Sequence, residues 1–215
     1  MFRTIIDAFK VKEIRKKIFI TLLLLLVYRI GCWVPCVGFS TDAIFANSNG
    51  FGFFELMNMV SGGALQNCSV LALGVSPYIT ASIVIQLLTV AIPSLERLSK
   101  AGEDGRRKIN LYTRIAALVL AIAQAVGIVV AYSGSIDSNL SGMPVWLVGC
   151  GVVITMVAGA MFTVWLGERI TDQGIGNGTS LLIFVGILSS AGTSIAGIIK
   201  MATQNIVYIW YIVLF

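Results

Sequence analysis

The chain has no histidine and little charge: 12% of its 215 residues are Asp, Glu, Lys or Arg. The missing histidine excludes His-based acid–base catalysis, a Ser-His-Asp triad and any His-ligated metal. The four cysteines, Cys32, Cys36, Cys68 and Cys150, show no C-x-x-C spacing and lie in or beside apolar stretches, so they read as small packing residues. No metal site and no cofactor are expected. No nucleophile–base pair emerges either, and an enzyme is not expected. What the chain has is apolar surface, 57% of its residues. Soluble domains are near half apolar and a quarter charged, so this composition belongs to a polytopic membrane protein. The net charge of +5 is confined to connecting segments, where positive-inside bias accounts for it more simply than nucleic acid.

A spanning helix needs roughly 20 apolar residues. The hydropathy pattern predicts an amphipathic cytoplasmic N-terminus over 1–17, then spans over 18–39, 66–93, 114–133, 145–166 and 179–200. Polar cytoplasmic loops are expected at 94–113 and 167–178. The first apolar stretch is too long for a signal peptide and lacks a cleavage site. A sixth span starts at 206, and the ten residues to Phe215 are too few to cross, as expected of a fragment or of one half of a larger whole. Lys and Arg fall on one side. Arg3, Lys10, Lys12, Arg15, Lys16, Lys17, Arg97, Lys100, Arg106, Arg107, Lys108, Arg114 and Arg169 share it, and Lys200 alone takes the other. The N-terminus is therefore expected to be cytoplasmic. Five spans are an odd number, so a following homologous half would insert upside down, as in inverted-repeat transporters.

Between the first two spans lies Phe51–Gly63, FGFFELMNMVSGG, apolar on one face and too short to span. Its first residues begin a plug-like half-helix expected over 51–65. A short helix ending at membrane depth needs protein or a water-filled cavity to satisfy its backbone. Such a cavity points to transport. Gly74 and Pro77 predict a kink or break early in the second span. Arg29 sits inside the first span, at a cost of about 2.5–3.5 kcal/mol at the bilayer centre. It is expected either to bind buried carbonyls or an acid, or to snorkel outward. Thr80, Ser82, Gln86 and Gln124 are uncharged polar residues within spans, read as inter-helix glue or as a polar seam between parts that separate. Gly174–Ser180 has no P-loop lysine and reads as a tight turn with Thr179 or Ser180 as helix N-cap.

Five segments together resemble the SecY/Sec61 family, the central subunit of the protein-conducting channel. They are YRIGCWVPCVG at Tyr28–Gly38, FFELMNMVSGGAL at Phe53–Leu65, ALGVSPYITASIVIQLL at Ala72–Leu88, GEDGRRKINLYTR at Gly102–Arg114 and WLGERITDQGIGNGTSLLIF at Trp165–Phe184. The resemblance implies an all-α fold. This chain would be the N-terminal five-helix half of an inverted-repeat clamshell, plus the start of a sixth helix. It implies an aliphatic pore ring, to which this half gives Val75, Ile79, Ile183 and Ile187, with Val75 where isoleucine is common. It implies a plug built on Phe53, Phe54, Leu56, Met57, Val60, Gly62 and Gly63, and a lateral gate edge with Thr80 and Gln124. Arg106, Arg107 and Lys108 become a docking surface for a cytoplasmic partner. The implied activity is passage of unfolded secretory polypeptides across a bacterial plasma membrane, with lateral release of transmembrane segments into lipid. The implied partners are SecE, SecG, SecA or a ribosome, signal sequences and nascent polypeptides, and a C-terminal half. The alternative from another class is a secondary transporter of small solutes, which calls for a charged midplane site.

Overall fold

The computed structural model describes residues 11–36, 61–65, 67–131 and 144–204, as backbone only for 193–204. The expected plug residues Phe53, Phe54, Leu56, Met57 and Val60, the N-terminus before 11 and the start of the sixth span lie outside the described residues. Among the described residues are six helices and no strand. They are α1 (Lys12–Gly31), α2 (Ser76–Ala91), α3 (Pro93–Lys100), α4 (Glu103–Ala131), α5 (Val145–Gln173) and α6 (Gly178–Gln204). Among them α4 and most of α5 are individually long and apolar enough to cross a membrane. The bent pair α2–α3 makes a third if it is one span.

The helices start and stop where the sequence forces them. Pro77 sits in the first turn of α2, where a missing N–H costs no helical bond. The break expected near Gly74 and Pro77 is thus the helix start itself. Residues 67–75 approach it as a series of turns, with Gly74 at φ +54°. At the other end, Ile92 is extended (φ −108°, ψ 113°) because Pro93 follows it, and the axis turns by 103° into α3.

The segment 94–113, read from sequence as a polar loop, is largely helical. It holds most of α3 and the first turns of α4, separated by Gly102 at φ +80°. Its charges lie at helical spacing. Lys100 pairs with Glu96 at 2.6 Å and Arg107 with Glu103 at 3.5 Å, both i,i+4. Such pairs support an exposed helix, so a high charge density need not mean an irregular chain.

Packing is between small faces. The buried side of α4 runs Thr113, Ala117, Ala121, Ala125 and Ile128, a stripe that lets backbones approach closely. It meets Val152, Met156 and Ala160 of α5 with Leu73 and Cys36. A second cluster joins Tyr28 and Cys32 from the end of α1, Leu71 and Val75 from the lead into α2, Leu166 and Ile170 of α5, and Leu182 of α6. The outer faces are apolar: Leu22, Leu23 and Leu26 on α1 and Leu87 and Val90 on α2 are exposed, as lipid-facing positions are.

The α5–α6 turn corrects one sequence expectation. The cap of α6 is Asn177, not Thr179 or Ser180. Its Oδ1 accepts from the Thr179 N–H at 3.1 Å, the Ser180 N–H at 3.4 Å and the Thr179 hydroxyl at 2.6 Å. Thr179 lies inside the helix, where its own N–H needs the cap. Asn177→Ala is expected to cost about 1 kcal/mol, the usual worth of an N-cap, read as a lower melting temperature in detergent. Asn177→Asp should retain the cap and most of the stability.

Candidate pore and gate site

The central feature is the junction of the α1 end, residues 61–75 and α6. Arg29 is on the last turn of α1 and is partly buried. Its Nη1 donates to the Gly62 carbonyl at 3.3 Å and its Nη2 to the Val185 carbonyl at 3.4 Å. The carbonyl-binding reading of Arg29 is the one the geometry selects. Gly62 needs to be glycine on two grounds. Its φ is +69°, and a Cβ there would come 2.7 Å from Arg29 Nη1 and 3.0 Å from the Gly186 backbone. Residue 62 therefore rests directly on α6, held by one guanidinium. Ser61 beside it is buried, and its Oγ accepts from the Leu65 N–H at 3.4 Å. Gly63 also has positive φ, +84°.

The four expected ring residues are not brought into one packed cluster. Val75, immediately before α2, is 5% exposed and packs with Leu71, Tyr28 and Leu182, and Ile79 lies partly buried against the same group. Ile183 is partly buried outside that cluster, and Ile187 is 42% exposed. α2 and α6 are not among the closely packed helix pairs of the described residues, which are α2 with α4, α4 with α5, α5 with α6, α2 with α3, α1 with α5 and α3 with α4.

Thr80 and Gln124 are not hydrogen-bonded to each other. The Thr80 hydroxyl, exposed on α2, donates to the Ser76 carbonyl at 3.1 Å in its own helix. Gln124 on α4 has a buried Oε1 with no partner among the described residues. A buried acceptor left unpaired costs about 1–3 kcal/mol, so Gln124 is an unmet demand for a donor. Arg106 and Lys108 are exposed on the first turns of α4, as is Arg107, which pairs with Glu103.

Two ties escaped sequence reading. Arg114 of α4 grips Glu168 of α5 through Nε at 2.6 Å and Nη2 at 2.7 Å, a fork-to-carboxylate arrangement. The Thr21 hydroxyl of α1 accepts from the Ile175 N–H at 3.2 Å, joining α1 to the α5–α6 turn. The signal for the first was an acid, Glu168, at the polar end of an apolar stretch. For the second there was none beyond a Thr within a run of leucines.

The SecY family model matches residues 69–215. The chain is 44% identical over 206 residues to the protein translocase subunit SecY of Streptococcus sanguinis, covering 95% of this chain and 47% of that one. The chain belongs to the SecY family. The SecY of Bacillus subtilis is 42% identical over 202 residues, covering 92% of this chain and 46% of that one. The chain spans about half the length of the curated SecY relatives it matches. The fold is also that of a solved protein conducting channel, with TM-score 0.58, 23% identity, and coverage of 82% of this chain and 37% of that one. The structure concerned with the plug domain of SecY matches with the same TM-score over 93% of this chain and 44% of that one. Arg29 and Gly62 lie in two of the segments that carry the family resemblance, and Val185 follows directly on a third.

Proposed function

We propose that this chain forms one half of a channel that passes unfolded polypeptides across a bacterial plasma membrane and releases transmembrane segments sideways into lipid. Membership of the SecY family, whose curated members here are protein translocase subunits, carries the reading. In this account Val75, Ile79, Ile183 and Ile187 are this half's share of an aliphatic collar, and the other half lies in an inverted repeat. A ring of aliphatic side chains resists ions by dewetting yet yields to a passing chain. The exposure of Ile187, and the lack of close helix packing between α2 and α6 among the described residues, support a gap between these helices beyond the cluster that holds Val75 and Leu182. Residues 53–65 serve as the plug, whose last residues rest on α6 through Arg29.

Thr80 and Gln124 lie on the lateral gate edge, and the unpartnered Gln124 Oε1 supports a donor arriving from outside this half. The N-terminus is cytoplasmic, and Arg106, Arg107 and Lys108 dock a cytoplasmic partner, SecA or a ribosome. SecE and SecG complete the membrane assembly. The chain catalyses no reaction, so driving energy comes from that partner. A secondary transporter is not supported, because the one charge within the first span, Arg29, is spent on backbone carbonyls.

The gate assignment gives a test. Inter-helix hydrogen bonds in a membrane average about 0.6 kcal/mol and reach about 1.7. Gln124→Leu removes one partner, and a factor of ten corresponds to about 1.4 kcal/mol. The open–closed balance is therefore expected to shift by about threefold to fifteenfold. Translocation of a series of progressively weakened signal sequences measures this. A changed hydrophobicity threshold in Gln124→Leu supports the gate reading; an unmoved threshold in both Gln124→Leu and Thr80→Val contradicts it.

A further inference from the structure

Where α1 ends, the chain pairs briefly with the lead into α2. Pro35 and Ser69 form an isolated antiparallel bridge. The Val70 N–H donates to the Val34 carbonyl at 3.0 Å, and the Cys36 N–H to the Cys68 carbonyl at 2.7 Å. In antiparallel register the pair next to 35 and 69 is 36 and 68. Two cysteines thus stand directly opposite each other. Cys36 and Cys68 make one of the two bonds of a hydrogen-bonded antiparallel pair, the Cys68 N–H turning instead to the Leu65 carbonyl at 3.1 Å; such pairs have Cα atoms about 5.5 Å apart, within the roughly 4.4–6.8 Å that a disulfide accepts.

Both side chains are buried. Cys36 is 3% and Cys68 2% exposed, and both are thiols. Each lies within electrostatic reach of the other, and Cys36 is also in hydrogen-bonding contact with Thr155 of α5. Cys68 has φ +45°, the one positive value among the described non-glycine residues. A non-glycine residue keeps such a conformation only where its surroundings hold it there. The other two cysteines are placed elsewhere. The Tyr28 hydroxyl donates to Cys32, and Cys150 is exposed on α5.

We propose that Cys36 and Cys68 are a dithiol–disulfide pair, converted by exchange with a disulfide-bearing oxidant on the outer face of the membrane. One protein thiolate attacks a sulfur of the oxidant R–S–S–R, forming a mixed disulfide and releasing R–SH. The second protein thiol then attacks the protein sulfur of that mixed disulfide and releases the second R–SH. The two protein protons pass to the two leaving thiolates. The protein pair loses two electrons and the oxidant gains them. The product fastens the end of α1 to the lead into α2 and closes residues 37–67 into a covalent loop. The outer location rests on the cytoplasmic N-terminus proposed above, since one span separates residue 36 from it. Disulfides persist on that side of a membrane.

The test uses the protein in its native membranes, as sealed right-side-out and inside-out vesicles, with oxidised glutathione as the oxidant. Free thiols are blocked with one maleimide, the protein is denatured and reduced, and newly released thiols take a heavier maleimide. Peptide mass spectrometry then reads each cysteine. The expected result is heavy label on Cys36 and Cys68 in equal amount, with Cys32 unlabelled, in right-side-out vesicles only. Before reduction, mass spectrometry should find a Cys36–Cys68 linked peptide, and Cys36→Ser or Cys68→Ser should abolish it; any heavy label left on the remaining cysteine is then the mixed disulfide with glutathione. Heavy label on both from inside-out vesicles alone supports the pair and overturns the orientation. Heavy label on both residues without a Cys36–Cys68 linked peptide, or label on neither residue after the oxidant is added in mild detergent, overturns the pair.

Discussion

Arg29→Met is expected to raise the resting ion conductance of the assembled channel by about tenfold or more. The guanidinium holds the Gly62 carbonyl and the Val185 carbonyl from one position. Hydrogen bonds to a charged group contribute about 1.5–3 kcal/mol, and at 3.3 and 3.4 Å these two belong at the low end. Losing about 1.4 kcal/mol changes an equilibrium tenfold. The lost bonds are those that seat residue 62 on α6, so the population released is the unseated one. Arg29→Lys keeps the charge but offers a compact point of contact in place of a planar fork. It should bind one carbonyl and leak less than Arg29→Met. Conductance across planar bilayers containing the purified complex reads this directly. An unchanged leak with normal assembly would make Arg29 a packing residue unrelated to closure.

A large loss of stability is expected at Gly159. This residue of α5 faces the lead into α2 so closely that an added Cβ would collide with the Val70 carbonyl oxygen and lie 2.8 Å from its carbon. The obstacle is backbone, which cannot rotate away. Overpacking a fitted interior costs about 1–3 kcal/mol, and here two rigid elements must move apart, so Gly159→Ala should reach the top of that range. Gly151 lies two turns earlier on the same helix with nothing near its missing Cβ. Alanine there gains helix propensity, roughly 0.5–1 kcal/mol. The two substitutions are chemically identical and should move the detergent melting temperature in opposite directions. Equal shifts would mean that the α5 contact with residue 70 is not tight.

The extent to which the sequence revealed this arrangement depends on the range of each interaction. Helix positions were legible wherever local chemistry decides them. Gly74 and Pro77 mark the start of α2. The charges of 94–113 are solvent-exposed, and Glu96–Lys100 and Glu103–Arg107 also support helix at i,i+4 spacing, which the charge pattern alone does not announce. The Asn177 cap was missed by two residues for a related reason: three candidate polar residues adjoin, and the backbone geometry chooses among them. Long-range ties were out of reach. Arg29 was flagged by its cost in hydrocarbon, but its partners are backbone carbonyls, which every residue has, so no sequence pattern distinguishes Gly62 or Val185. The pairing of Cys36 with Cys68 likewise depends on a short antiparallel register that two residues of bridge are too few to announce. The proposed ring residues rest on the family resemblance, since i,i+4 aliphatic pairs alone are ordinary helix packing. That Val75 is packed while Ile187 is exposed depends on how the helices sit in three dimensions.

The central claim is that an opening between α2 and α6 conducts polypeptide. The most direct measurement places single cysteines at Val75, Ile79, Ile183 and Ile187 in a background whose four native cysteines are replaced by alanine. A translocating chain carrying one cysteine is then arrested in the assembled channel and cross-linked by mild oxidation. The account predicts cross-links from these positions and none from Leu23, which is exposed on the outer face of α1. Cross-linking from Leu23 as efficient as from Ile79 and Ile187 would contradict it.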